Sequence, residues 1–228
     1  MPNKQSNVAI LIFANSSSKE TKRKNLFQEG DFFDYLNKKI IQKAKKTSFD
    51  VVLFDETSQK GNTFGERFTN AVETTFTKGY QKVIAIGNDS PDLKVNHLKE
   101  TFTKLENQQS VLGPSLDGGA YLIALDKNLF NKQQFLELPW QTNLLFTALR
   151  KLLAQSTKVT QLPYLKDIDN LNDLKTFLFR FNTSKELQLI IKSITPSLSK
   201  TFYYLHPILT IGFTTNLFNK GSPLHSSF

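Results

Sequence analysis

Two rhythms of apolar residues alternate along this chain. Val8 to Phe13 is an unbroken apolar run of strand length, Val51 to Phe54, Lys82 to Ile86 and Ala120 to Leu125 are similarly apolar, and Ser110 to Gly113 and Lys158 to Leu162 read as further strands. Between these runs, Phe32, Phe33, Leu36, Ile40, Ile41 and Ala44 fall at helical spacing and predict a helix over Asp31 to Lys46. Further helices are predicted over Thr63 to Thr77, stopped by Gly79, and over Leu93 to Leu105, Asn143 to Ala154 and Leu171 to Phe181. Ala14 to Lys24 reads as a polar, basic loop, and Val51 to Phe54 as a short buried strand. Strands alternating with helices of about three turns mean βαβ units, hence an α/β fold with a mostly parallel sheet. The pattern holds through residue 183. Residues 184–228 read as an appendage, with one more helix over Glu186 to Ile194 and then a stretch rich in Ser, Thr and aromatics.

Ligands of an open α/β sheet bind outside the carboxyl ends of its strands, so the residues just past each predicted strand carry the chemistry. The most informative run is Val83 to Leu93, where an apolar strand ends in Gly87-Asn88-Asp89-Ser90-Pro91. Asp89 stands where a metal-bound phosphate would lie, although an aspartate there can equally cap the following helix, which Pro91 is placed to open. Three other segments share that position: Asn15 to Arg23, Leu116 to Gly119, and Asp167 to Asp169. Gly118 and Gly119 allow backbone N–H groups to approach a ligand, or simply turn a hairpin. Lys19, Lys22 and Arg23 offer charge to a diphosphate, or are a solvated run. Gln59, Gly61, Gly65, Glu66 and Arg67 form a polar cluster at a helix start, where the helix dipole favours an anion.

Composition narrows the chemistry. The 228 residues hold no cysteine, so disulfides and thiolate metal sites are excluded, and the three histidines show no metal-ligand spacing. Any metal is then held by oxygen, which favours magnesium, manganese or calcium. The net charge of +9 comes mostly from lysines spread over helical faces, with no nucleic-acid module and no interleaved aromatics. A solvated lysine-rich face is expected rather than a nucleic-acid partner. The start is polar and has no signal-peptide pattern, and no apolar window reaches membrane-spanning length, so a cytoplasmic protein is expected.

Taken together and in order, Gln59 to Phe68, Ile86 to Leu93, Leu112 to Leu125, Leu138-Pro139-Trp140 and Asp167-Ile168-Asp169 with Asp173-Leu174 resemble a bacterial family of GT-A-type glycosyltransferases. That family has nucleotidyltransferase-like relatives, and some members carry an arsenosugar-biosynthesis label. The resemblance covers Val8 to Phe181. It implies a single GT-A domain, a Rossmann-like nucleotide-diphospho-sugar transferase fold over residues 1–183. It also implies a nucleoside-diphosphate ligand and Mg²⁺ or Mn²⁺ held by Asp89, with Asp169 near the metal and Asp117 facing the acceptor. The first loop departs from the family. Relatives read close to Gly-x-x-Lys-Thr-Arg-Leu, whereas Ser17 to Lys24 lacks the glycine and the Lys-Thr-Arg order.

The expected protein is a metal-dependent glycosyltransferase moving a sugar from a nucleotide sugar to a small-molecule acceptor. Asp117 is the expected catalytic base. Lys19, Lys22, Arg23, Gln59, Gly61, Arg67, Gly118 and Gly119 are the expected nucleotide contacts, and Asp89 and Asp169 the metal ligands. Two other readings remain open: a nucleotidyltransferase acting on a sugar phosphate or similar acceptor, and a catalytically degraded nucleotide-binding protein. The altered first loop favours the latter.

Overall fold

The structure, a computed structural model, describes residues 7–24, 31–169, 173–174 and 176–177. The elements run β1 (Val8–Phe13), α1 (Ser17–Lys24), α2 (Asp31–Lys45), β2 (Asp50–Phe54), α3 (Phe64–Thr77), β3 (Lys82–Ile86) and α4 (Val95–Glu106). They continue with β4 (Ser110–Pro114), β5 (Ala120–Asp126), α5 (Lys132–Leu136), α6 (Leu145–Leu153) and β6 (Val159–Gln161). The appendage expected over residues 184–228 lies outside the described residues, as does most of the helix expected over Leu171 to Phe181. Among the described residues, no helix is long and apolar enough to cross a membrane.

Six strands form one sheet in the order β2-β1-β3-β5-β4-β6. The β1–β2, β1–β3 and β4–β6 pairs are parallel, whereas β5 runs antiparallel to both β3 and β4. The carboxyl ends of five strands and the amino end of β5 therefore share one edge. Alternation sorts the side chains to the two faces. Ile10, Ile12, Ile84 and Ile86 pack with Ile40 of α2 and Leu98 of α4, while Leu11, Phe13, Val83 and Ala85 pack with Phe68 and Val72 of α3 and Leu149 of α6. Covered on both faces, the central β1 is buried along its whole length, which is why its sequence is continuously apolar.

Three local expectations are corrected. The segment read as a loop holds α1, because Ser16 acts as its N-cap and is itself anchored from afar. The Glu56 carboxylate accepts from the Ser16 N–H at 2.6 Å and from the Ser16 hydroxyl. The strand read as buried, β2, is an edge strand, with Leu53 49% exposed. Pro91 lies in a turn closed by the Leu93 N–H on the Ser90 carbonyl, and α4 begins only at Val95, so Pro91 does not open that helix.

The start of α3 agrees with its sequence. Thr63 caps Glu66, and the Glu66 carboxylate reaches back to the Thr63 and Asn62 N–H groups. Next to that cap, Gly65 leaves room for Trp140, whose Cδ1 would lie 2.3 Å from an added Cβ. Trp140 cannot easily yield, since its Nε1 donates to the Phe135 carbonyl at 2.7 Å. Gly65→Ala is expected to cost about 1–3 kcal/mol through overpacking and to shift the emission of Trp140, the single tryptophan. Urea unfolding followed by fluorescence reads both. An unchanged midpoint and emission would show that the ring does not sit on Gly65.

Candidate active site

The shared strand edge opens into a cavity of about 490 Å³. All four segments picked out at predicted strand ends contribute to its lining: Asn15 and Glu20, Asn88 and Asp89, Asp117 and Gly119, and Asp167 and Asp169. Gln59 and Arg67 join them from the β2–α3 connection and the first turns of α3. Gly61, Gly118 and Lys19 do not line the cavity. Lys19 is exposed on α1, and the side chains of Lys22 and Arg23 lie outside the described residues.

The two glycines outside the lining have conformational work to do. Gly118 has φ of +90°, and an added Cβ would lie 2.2 Å from the Asn143 carbonyl oxygen. Gly61, with φ of +131°, turns the chain into the α3 cap. That cap also answers the expectation of an anion at the helix start, because the protein's own Glu66 is already there. The Asn62 and Thr63 N–H groups hold the Glu66 carboxyl below its usual range. Gly119 differs from both. It lines the cavity, and its N–H donates to Asp117 Oδ1 at 2.8 Å, which fixes the exposed Asp117 carboxylate at the rim.

Asp89 and the Asp167-Ile168-Asp169 segment are brought together by the backbone. The Ile168 N–H donates to the Asp89 carbonyl at 3.0 Å, and the Ile168 side chain is buried. Upstream, Leu165 pairs with the end of β4: its N–H donates to Pro114, and its carbonyl accepts from Leu116. The Ser90 hydroxyl donates to Asp167 Oδ1. Three carboxylates are thereby crowded at the end of β3. Burial and then the charge of Asp89 push the Asp167 carboxyl up to about 7, while the hydroxyls of Ser115 and Ser90 pull the other way and Asp169 adds to the rise. Burial, followed by the charge of Asp167, raises the hydroxyl of the neighbouring Tyr121 as well.

Such crowding suits a cation. Among the described residues, no three acidic or imidazole side chains converge at metal-ligand geometry. The fit is therefore to an ion that takes one or two protein carboxylates and completes its shell from water and substrate, as magnesium does. Sequence reasoning missed two features of the lining. One is Glu20, a carboxylate where the loop was expected to supply only cations, and no spacing in the sequence marked it as a lining residue. The other is the wall built by Phe13, Phe64, Phe68 and Trp140, which sequence periodicity assigns simply to the core.

The Asp167 shift has a stability consequence. An unfolded aspartate titrates near 3.9, so the folded state binds this proton more tightly, and the penalty for ionising Asp167 is fully present above about pH 7 and fades as pH falls towards 4. In chelator, Asp167→Asn, which can still accept from Ser90, is expected to be more stable than the parent by on the order of 2–4 kcal/mol at pH 8 and equal to it near pH 4. Denaturant melts across that range test this. A stability difference independent of pH would contradict the crowding.

Comparison with known proteins supports the fold. A family model described as an uncharacterized protein conserved in bacteria (DUF2064) matches residues 36–142. A structure from Desulfovibrio desulfuricans G20, provisionally named a nucleotide-diphospho-sugar transferase, superimposes with a TM-score of 0.69 at 21% identity, covering 79% of this chain and 90% of that one. More distant are Rv0371c from Mycobacterium tuberculosis H37Rv (TM-score 0.44, 12% identity, 75% of this chain and 97% of that one) and a cytidylyltransferase from Leptospira borgpetersenii serovar Hardjo-bovis (TM-score 0.44, 14% identity, 86% and 96%). No curated protein matches the chain. Residues 36–142 thus resemble the bacterial family DUF2064, and the chain shares the α/β fold of the Desulfovibrio structure.

Proposed function

We propose that the protein is a metal-dependent glycosyltransferase that moves a sugar from a nucleotide-sugar donor to a small-molecule acceptor. The observation that carries this reading is the carboxylate cluster of Asp89, Asp167 and Asp169 at the end of β3, set in a cavity that also holds one arginine. Asp89 and Asp169 would hold Mg²⁺ or Mn²⁺, and the bound ion supplies neutralisation of the donor diphosphate. The protein's own groups do the rest. Arg67 orients a phosphate as a forked donor, and the Gly119 backbone leaves the cavity mouth open to the sugar. Asp117, one oxygen fixed by the Gly119 N–H, accepts the proton of the acceptor hydroxyl at the other. Gln59 ties the ends of β1 and β2 together by donating to Phe54 and Ala14 carbonyls, which positions the donor side of the cavity. Lys19, Lys22 and Arg23 on α1 are assigned an outer, electrostatic part that salt screens.

The reaction is tested by incubating the protein with Mn²⁺ and a panel of nucleotide sugars and acceptors, following released nucleoside diphosphate. Asp117→Asn is expected to lower kcat by about 10²-fold or more while leaving donor affinity and melting temperature unchanged. Asp89→Asn is expected to remain folded and to lose the Mn²⁺-dependent part of nucleotide binding. Release of pyrophosphate from a nucleoside triphosphate would replace this reading by nucleotidyl transfer. A protein that binds no nucleotide with or without metal would sink both.

A further inference from the structure

Glu20 is a carboxylate that the proposed reaction does not use, although it is 4% exposed and lines the cavity. Its Oε1 accepts from the Asn15 amide at 2.6 Å, so the group is aimed rather than adrift. Asn15 follows the carboxyl end of β1, two residues after Phe13. Phe13 begins an aromatic wall: its ring lies 5.5 Å from Phe64 and 5.4 Å from Phe68, and Phe68 lies 4.8 Å from Trp140. The lining of one cavity thus combines aromatic rings with an oriented carboxylate.

The charge of Glu20 decides what it meets. Like charges placed together cost several kcal/mol, so Glu20 does not face the phosphates of the ligand. An ionised carboxylate has about four lone-pair sites and no proton to give, so it takes a ligand that presents donors. A sugar ring has that character, with an apolar C–H face that packs on aromatic rings and hydroxyls around its edge. Acidic side chains bind the ribose diol of dinucleotides on the same chemistry.

Resting on the transferase reading, we propose that Glu20 and the aromatic wall form a sugar-ring subsite, in which Glu20 accepts hydrogen bonds from a vicinal diol of the ligand. The diol belongs either to the ribose of the nucleotide or to the sugar being transferred. On this account the carboxylate on α1 is a specificity device.

The experiment is a calorimetric cycle on the full chain with Mn²⁺. The parent, Glu20→Gln and Glu20→Ala are each titrated with the common ribonucleoside diphosphates, their 2′-deoxy counterparts and UDP-glucose. If Glu20 holds the ribose, the parent prefers ribo over deoxy by about tenfold or more, the scale of one hydrogen bond to a charged group, and in Glu20→Ala the two bind alike. If it holds the transferred sugar, the ribo-to-deoxy ratio is near one throughout, and the tighter binding of UDP-glucose over UDP disappears in Glu20→Ala. Glu20→Gln keeps an acceptor for the Asn15 amide and serves as the folded control, with partial loss expected. Equal weakening of every ligand in folded variants, or loss of Mn²⁺ binding itself, overturns the diol assignment and leaves the transferase reading standing. A parent that binds none of these ligands overturns both.

Discussion

The backbone hydrogen bond from the Ile168 N–H to the Asp89 carbonyl is short in extent and long in consequence. It fastens a segment arriving from β6, at one border of the sheet, to the end of the central β3. With Ile168 buried beneath it, the aspartates on either side are carried towards Asp89. Burial and then the charge of Asp89 raise the Asp167 carboxyl there. A fold that holds like charges together without relief pays in stability, and such sites recur where function needs them. The proposed cation and the phosphates it carries are the relief.

Around that fixed cluster the cavity is uneven in character. Carboxylates occupy the end of β3 and, through Asp117, the rim. Arg67 enters from α3, and aromatic rings wall the side towards β1. This distribution opposes the picture that net charge alone suggests. The chain is strongly basic, yet the described lining of its cavity is dominated by acidic groups. An anionic ligand would therefore gain little from the surface field once inside, and on the proposed function its binding would depend on the cation and on a few oriented groups.

Much of this was legible in the sequence because the rules involved are local. Continuous apolar runs gave the central strands, and helical spacing gave α2 and a helix beginning at Thr63. The strand-end rule places Asp89, Asp117 and Asp169 at one edge of the sheet. What stayed hidden depends on partners distant in sequence. The α1 helix is capped through Ser16 by Glu56, 40 residues away. β2 is half-exposed because nothing pairs with its outer side in the described sheet. Pro91 sits in a turn because its neighbours Asp89 and Ser90 are held by the Asp167 segment. Glu20 was invisible as a lining residue for the same reason, since its helix was not expected.

The central claim is that the carboxylate cluster takes up a divalent cation together with a nucleoside diphosphate. Electron paramagnetic resonance of free Mn²⁺ measures this directly, because the solution signal falls as the ion is bound. The account predicts weak uptake by the protein alone, and uptake enhanced by about tenfold or more when a nucleoside diphosphate is also present, beyond what the nucleotide achieves without protein, since phosphate oxygens complete the coordination shell. A Mn²⁺ signal that the protein leaves unchanged, with and without nucleotide, would contradict it.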